Sequence, residues 1–282
     1  MLPADWIKIA EAVKELSECC EGIIVLHGTD TLCYTASALA FMLADTSRRV
    51  PVMVTGANQP LEDQDGDGAV NIRDCFTALR SGIFEGVYVC FGGDVHIAAV
   101  ARKVAVEGNG FISVSGSPAA KICGGQVDTG ADLDPPWGGS YHTICGHDSI
   151  AINPNVGFYK IYPGFRAGMI AADTSDALVL ELYNDGTGPC GVGGVYSIGV
   201  NVAKYGKPVF ATSQHNAVVT FDTYATSVEL GGSGITGLRQ MTSETAIVKL
   251  MWLLGRGIRG QELIEQMTTD YCYEILAFLP KY

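Results

Sequence analysis

The sequence predicts an α/β protein of two domains with open, mostly parallel sheets flanked by helices. Three observations carry that class. Runs such as Ile23-Ile24-Val25-Leu26 are apolar without alternation, as strands covered on both faces are. Segments with a helical apolar period separate these runs, which is the pattern of crossover connections between parallel strands. The length, 282 residues, suits two domains at roughly 150 residues each.

The elements follow in order. Trp6, Ile9, Ala10, Val13 and Leu16 recur at helical spacing with Lys8, Glu11, Lys14 and Glu15 between them, and Pro3 suits a first turn. No N-capping residue precedes this helix. Strands are expected over Ile23–Leu26, Val50–Gly56 and Gly86–Gly93, with helices over Thr35–Leu43 and Ala69–Ser81 between them. A Gly/Asp/Pro-rich stretch from Cys123 to Ser149 has no period and reads as a linker. The division is therefore 1–122 for an N-terminal α/β domain, 123–152 for the linker and 153–282 for a smaller C-terminal domain. In the second domain strands are expected over Val156–Pro163, Ala177–Tyr183 and Pro208–Ser213, and a helix over Thr242–Leu254.

Composition excludes several classes. Hydrophobic residues are 48% of the chain and charged residues 17%, the reverse of a disordered composition. The formal net charge of −12 repels phosphate and anionic lipid, so neither nucleic acid nor a membrane surface is an expected direct partner. So few charges leave apolar surface for a homo-oligomer interface. No apolar run reaches the ~18 residues that span a bilayer, and no secretory leader pattern opens the chain. The nine cysteines show no CxxC or Cys/His spacing. They read as small buried hydrophobes of a reducing compartment, so a cytoplasmic location is expected.

Three loops hold chemistry. His27-Gly28-Thr29-Asp30-Thr31 follows the first strand, where a hydroxyl beside a carboxylate can hold a substrate ammonium and orient a nucleophile. The same residues could simply cap the next helix. Asp63 to Asp74 fits a calcium-loop template, with oxygens at positions 1, 3 and 5 and Gly66 at 6. Against calcium stand the short Asp74 at position 12 and a strand before the loop in place of a helix. Arg102-Lys103 lies in an apolar stretch, where a desolvated lysine can serve as a base or a strand-edge lysine can simply face water.

The whole pattern resembles the asparaginase family, the bacterial-type enzymes related to the archaeal glutamyl-tRNA amidotransferase protein of the D type. HGTDTLCYTASALAFML resembles the family's second threonine signature, and PVMVTGANQPLEDQDGDGAVNI its next strand and S/G-D-G-x-x-N loop. That loop explains the calcium-like spacing without calcium. ARKV matches the position of the catalytic lysine. VGFYKIYPGF, LVLELYNDGTGP, PVFATSQ and MTSETAIVKLMWLLG resemble successive blocks of the C-terminal domain.

The resemblance implies an asparaginase-like two-domain fold and hydrolysis of L-asparagine, or glutamine, to the acid and ammonia. It implies no metal or organic cofactor. It assigns Thr29, Asp30 and Lys103 to one of two catalytic groups, and Gly28, Thr29 and Asp30 to substrate binding. It also implies a homo-oligomer, since family sites are completed by a neighbouring subunit. The family's opening strand and T-G-G-T nucleophile loop are not found within these 282 residues, and Gly191-Val192-Gly193-Gly194 is no substitute. The expectation is a first nucleophile supplied by a separate chain, together with its strand, or replaced by Thr29. After Lys103 the run Val104-Ala105-Val106-Glu107-Gly108 departs from the family, as does His215-Asn216-Ala217 after Ser213-Gln214. Two other functions remain open: a non-catalytic binding or self-assembling protein on the same fold, and the ammonia-supplying subunit of a tRNA-dependent amidotransferase.

Overall fold

A computed structural model describes all residues except 60–62, 64–65, 105–109, 130–147, 171–173, 192, 205 and 276–282. The chain divides into two compact units, Met1–Ile150 with Tyr271–Tyr273, and Ala151–Asp270 with Glu274–Tyr282.

The first unit opens with α1, Pro3–Leu16, which buries Trp6, Ala10 and Val13. Leu2 has no capping side chain, and the Asp5 carboxylate accepts its amide at 2.9 Å. Four strands follow: β1 (Ile23–Leu26), β2 (Val52–Thr55), β3 (Val87–Phe91) and β4 (Asp94–Ile97). The remaining strands of this unit are β5 (Ala101–Lys103), β6 (Phe111–Ser113), β7 (Ala120–Cys123) and β8 (Gln126–Asp128). The helices between them are α2 (Leu32–Met42), α3 (Ala44–Arg49) and α4 (Gly68–Ser81).

The main sheet runs β1-β2-β3-β4-β7-β8, with β5 and β6 as a separate hairpin. β1, β2 and β3 are parallel, whereas β3–β4, β4–β7 and β7–β8 are antiparallel. The expectation of a mostly parallel sheet thus fits only one half of this sheet. The reversal happens at Gly92-Gly93, a two-residue turn with φ of +60° and +83° between paired Phe91 and Asp94. Both positions need positive φ for a hairpin turn that matches strand twist, and glycine supplies it. The β7–β8 hairpin reaches into the stretch read as linker and belongs to this sheet. Residues 130–147, the rest of that stretch, lie outside the described residues. Asp148 beyond them accepts the amides of Asp45 and Thr46 at 3.1 and 3.0 Å and so caps α3.

The second unit contains β9 (Val156–Lys160), β10 (Ala177–Leu182), β11 (Val209–Ser213) and β12 (Ile235–Gly237), in the order β12-β11-β10-β9 and all parallel. Its helices are α5 (Val195–Lys204), α6 (Ala225–Gly231), α7 (Ser243–Gly255) and α8 (Gly260–Met267). Every residue of β10 is buried, which is why ALVLEL shows no alternation. Thr242 caps α7, its hydroxyl accepting the Thr245 amide.

The cysteines divide. Cys33, Cys75, Cys90 and Cys272 are buried as expected, but Cys19 and Cys123 are exposed and Cys20 and Cys190 half-buried. Cys19 sits in the turn after α1 and Cys123 ends β7, where apolar flanking sequence gives no burial. Cys145 lies outside the described residues.

The second unit also buries charge. Lys249 and Glu274 are fully buried and paired at 2.7 Å, and the Lys249 ammonium donates to the Met267 and Thr269 carbonyls. Two carboxylates, Glu274 and Asp270, lie close to this one cation. Burial, then the Glu274 charge, push the Asp270 carboxyl up to about 7. A raised carboxyl holds its proton in the folded state over a range where the unfolded chain, at roughly 3.9, has lost it. The group's stabilising contribution is therefore complete below about pH 4 and is lost as pH rises towards 7. Asp270→Asn should flatten that slope and raise the melting temperature relative to the parent at pH 8, by about 2–6 °C, but not at pH 4. Parallel melting curves in both proteins at pH 4 and pH 8 would abolish this account.

Candidate active site

The carboxyl ends of β1, β2 and β3 converge, and the loops there hold the candidate residues. β1 leads through His27-Gly28 into a single 3-10 turn, Thr29–Thr31, before α2. Gly28 is extended and exposed, and nothing would touch a side chain placed there. Thr29 is half-buried and the Asp30 side chain is 93% exposed.

Lys103 comes from the β5–β6 hairpin. Its register is fixed by pairing with Phe111, whose ring packs at 4.9 Å from Phe91 of β3. Two residues earlier Ala101 pairs with Ser113, whose hydroxyl lies 2.9 Å from Nδ1 of buried His96. Burial lowers His96 to about 4, so it stays neutral at physiological pH. Arg102 pairs with Ile112 and alternates to the opposite side of the hairpin from Lys103.

The structure brings Thr29, Asp30 and Lys103 together across more than seventy residues of sequence. The Lys103 ammonium donates to Thr29 Oγ1 at 2.8 Å and to Asp30 Oδ1 at 2.6 Å. The hydrogen bond from Lys103, and then its charge, hold the Asp30 carboxyl below the usual carboxylate range. The Asp30 carboxylate is therefore ionised at neutral pH. A third of the Lys103 side chain remains exposed, so it lies between the desolvated base and the water-facing strand-edge lysine that the sequence left open. It stands on a short rim hairpin rather than inside the sheet. Residues 105–109, which include Ala105, Val106, Glu107 and Gly108, lie outside the described residues.

The support beneath this group was not read from the sequence. Asn71, buried on α4, donates to the Gly56 carbonyl at 3.0 Å and accepts the Gly92 amide at 3.0 Å. It thereby fastens the end of β2 to the turn after β3. A Cβ at Gly56 would overlap the His27 carbonyl oxygen and touch the Thr29 methyl, so only glycine allows this approach. The His27 ring spans the loop itself. Nδ1 lies 2.7 Å from the Gly28 carbonyl, and Nε2 lies 2.9 Å from the Thr35 hydroxyl, which accepts from Trp6 Nε1 at 3.0 Å. A carbonyl can only accept, so Nδ1 carries the proton. A usable signal was the Gly-Ala-Asn after β2 followed by Asp67 and Asn71, since Asp and Asn before a helix often serve loop amides.

The calcium-like segment is accounted for in the same way. Both oxygens of Asp67 accept the Asn58 amide at 3.0 Å, one also accepts the Gln59 amide at 3.2 Å, and Asn71 is occupied as above. Asp63 is exposed, Asp74 is buried on α4, and Gln64 and Asp65 lie outside the described residues. Among the described residues no three His, Cys, Asp or Glu side chains are grouped to hold a metal. His215 is exposed at the end of β11 in the second unit, its amide donating to Ser213 Oγ. No helix among the described residues is long and apolar enough to cross a membrane.

Comparison with known proteins gives consistent results. Residues 1–134 match the family profile described as "Asparaginase, N-terminal", and residues 155–267 match "Glutaminase/Asparaginase C-terminal domain". The chain is 30% identical over 277 residues to an L-asparaginase of Thermococcus kodakarensis, covering 97% of this chain and 81% of that one. It is 30% identical over 297 residues to the D-type protein of the glutamyl-tRNA(Gln) amidotransferase of Methanococcus maripaludis, covering 98% of this chain and 67% of that one. A solved structure, the thermostable L-asparaginase from Thermococcus kodakarensis, superposes with a TM-score of 0.87 at 29% identity, covering 99% of this chain and 83% of that one.

Proposed function

The chain belongs to the asparaginase family, and on that premise we propose that it hydrolyses the side-chain amide of L-asparagine, with glutamine as the second substrate, to the acid and ammonia. The observation that carries this reading is the contact of one lysine with both Thr29 and Asp30.

The roles follow from the charges. At rest Lys103 is an ammonium held by Asp30 and donates to Thr29 Oγ1, so the threonine's own hydrogen points away from it. Asp30 is almost wholly exposed and free to meet a second cation. The α-ammonium of asparagine is such a cation. When it pairs with Asp30, the hold on the lysine proton weakens. The ammonium then gives its proton up to solvent, and the neutral amine takes the proton of a hydroxyl attacking the amide carbonyl and passes it to the departing ammonia. That leaves an ester on the hydroxyl. Water, deprotonated by the same amine, breaks the ester, releases the acid and restores the hydroxyl. The attacking hydroxyl is that of Thr29, or one delivered by a separate chain. Gly28 leaves room for the substrate beside Thr29. No metal or cofactor has a part in these steps.

The separate-chain reading has its own support. β1 is the edge of its sheet and, among the described residues, pairs only with β2. Leu26 at its end is 59% exposed. A further strand carrying a nucleophile would cover that edge. A second copy of this chain completing the site is the homo-oligomer form of the same proposal. The alternatives are a non-catalytic binding protein on this fold and an ammonia-supplying subunit in which a partner binds tRNA.

Ammonia release from asparagine and glutamine tests the reading. The full chain should release ammonia from asparagine in a Lys103-dependent manner. No release from either amide, in a preparation that melts cooperatively, would remove Thr29 as the attacking group and leave the separate-chain form and the non-catalytic alternative in its place.

A further inference from the structure

Cys19 and Cys20 lie in the turn between α1 and β1, outside everything described for the site. Adjacent residues of an extended chain point to opposite sides. Here the helix end continues as a turn, with the Cys19 amide donating to the Leu16 carbonyl at 3.1 Å. That turn places both thiols on one side, their sulfurs 4.0 Å apart. Cys19 is exposed and Cys20 half-exposed, and the Cys19 thiol is anchored towards the Leu16 carbonyl at 3.5 Å.

We propose that Cys19 and Cys20 form a dithiol site for trivalent arsenicals, bound through one arsenic atom bridging the two sulfurs.

Geometry separates this ligand from the other outcomes open to a thiol pair. A disulfide needs its sulfurs at ~2.05 Å, and between neighbouring residues that distance works against the planar peptide joining them. Trivalent arsenic is pyramidal, so two bonds of ~2.3 Å, the length of a metal–thiolate bond, at an angle of about 100° hold their sulfurs about 3.5 Å apart. The observed 4.0 Å needs to close by only about half an ångström, a small side-chain rotation for two exposed or half-exposed thiols, against about 2 Å for a disulfide. Zinc uses four protein ligands in a closed site, and no such group exists among the described residues. An arsenical needs only the two sulfurs.

The charges favour the same ligand. The hydrogen bond and charge of Cys20, and then Glu18 and Glu15, raise the Cys19 thiol. A thiol kept protonated is a poor nucleophile and a poor ligand for a cation that must displace protons against no compensation. Condensation with an arsenoxide does not depend on a standing thiolate. Two S–H bonds and the As=O bond break, two As–S bonds form, and the oxygen leaves as water with both protons. Arsenic stays trivalent, so neither an oxidant nor a reductant is required.

Phenylarsine oxide is the probe, and the full chain the target. One equivalent should add, seen in intact mass as one phenylarsenic group less two hydrogens, with the adduct mapped to the peptide holding Cys19 and Cys20. Free thiols should fall by two. The second sulfur acts at an effective concentration in the millimolar range, so Cys19→Ser and Cys20→Ser should each weaken binding by at least ~100-fold. 2,3-Dimercaptopropanol should strip the adduct, and 2-mercaptoethanol at equal thiol should not. Thermal melts of both variants check that the fold is kept. An adduct mapping to another cysteine, or one that survives either Ser substitution, overturns the proposal. Neither readout uses amide hydrolysis, so the result is independent of the proposed activity.

Discussion

Lys103→Met should lower turnover of asparagine by at least the ~10²-fold typical of losing a general base. Methionine keeps the length of the chain and its packing on the β5–β6 hairpin while removing the amine. Both short contacts, to Thr29 Oγ1 and Asp30 Oδ1, disappear together. Asp30 remains able to bind an ammonium, so the loss should fall on kcat more than on KM. Lys103 is partly exposed, and its ion pair with an almost fully exposed carboxylate contributes little to stability. The melting temperature should therefore hardly move. Unchanged ammonia release in Lys103→Met would show that the three residues are together without acting together.

Lys249→Met should have the largest effect on stability. The substitution leaves Glu274 as a buried charge without its cation and leaves the Met267 and Thr269 carbonyls without a donor. Removing one partner of a buried pair costs about 3–5 kcal/mol. For a chain of this size that lowers the melting temperature by roughly 6–20 °C. The double variant Lys249→Met/Glu274→Gln should recover part of the loss, because the uncompensated charge is gone. A single variant melting within about 1 °C of the parent would mean that water or a rearranged carboxylate already serves this cluster.

The parts of the fold legible in the sequence were those with a strong period. The continuous apolar runs at Ile23, Val87 and Ala177 became strands close to the positions their patterns marked, as did the helices from Pro3 and Thr242. The antiparallel half of the first sheet was missed because its strands are three or four residues long and partly polar, as in Asp94-Val95-His96-Ile97. Gly92-Gly93 was the available sign of that reversal. β12, with three residues, and α6, with seven, are too short for periodicity to register. The reading of the cysteines failed at Cys19 and Cys123, since flanking residues do not report whether the end of an element faces water.

For the candidate site, the sequence named the residues that meet but could not bring them into contact. Thr29 and Asp30 are neighbours in any fold, whereas Lys103 joins them only through a hairpin whose register depends on Phe111 packing against Phe91. Gly56 went unread, and Asn71 was read only as the Asn of the S/G-D-G-x-x-N loop and not as a support, for a different reason. Their role is to fill and fasten, and neither carries reactive chemistry that would single it out.

The clasp at Asn71 has a consequence for how this region can change in length. Successive residues of an α-helix are turned by about 100°. One residue inserted between the start of α4 and Asn71 would swing the amide a quarter-turn or more away from Gly56 and Gly92, breaking both bonds at once. Substitutions on the exposed side of α4, at Arg73 or Phe76, leave that phase untouched. The helix thus acts as an indexed shaft under the strand ends, permissive in what its outer face displays and intolerant of any change in the number of residues leading to Asn71.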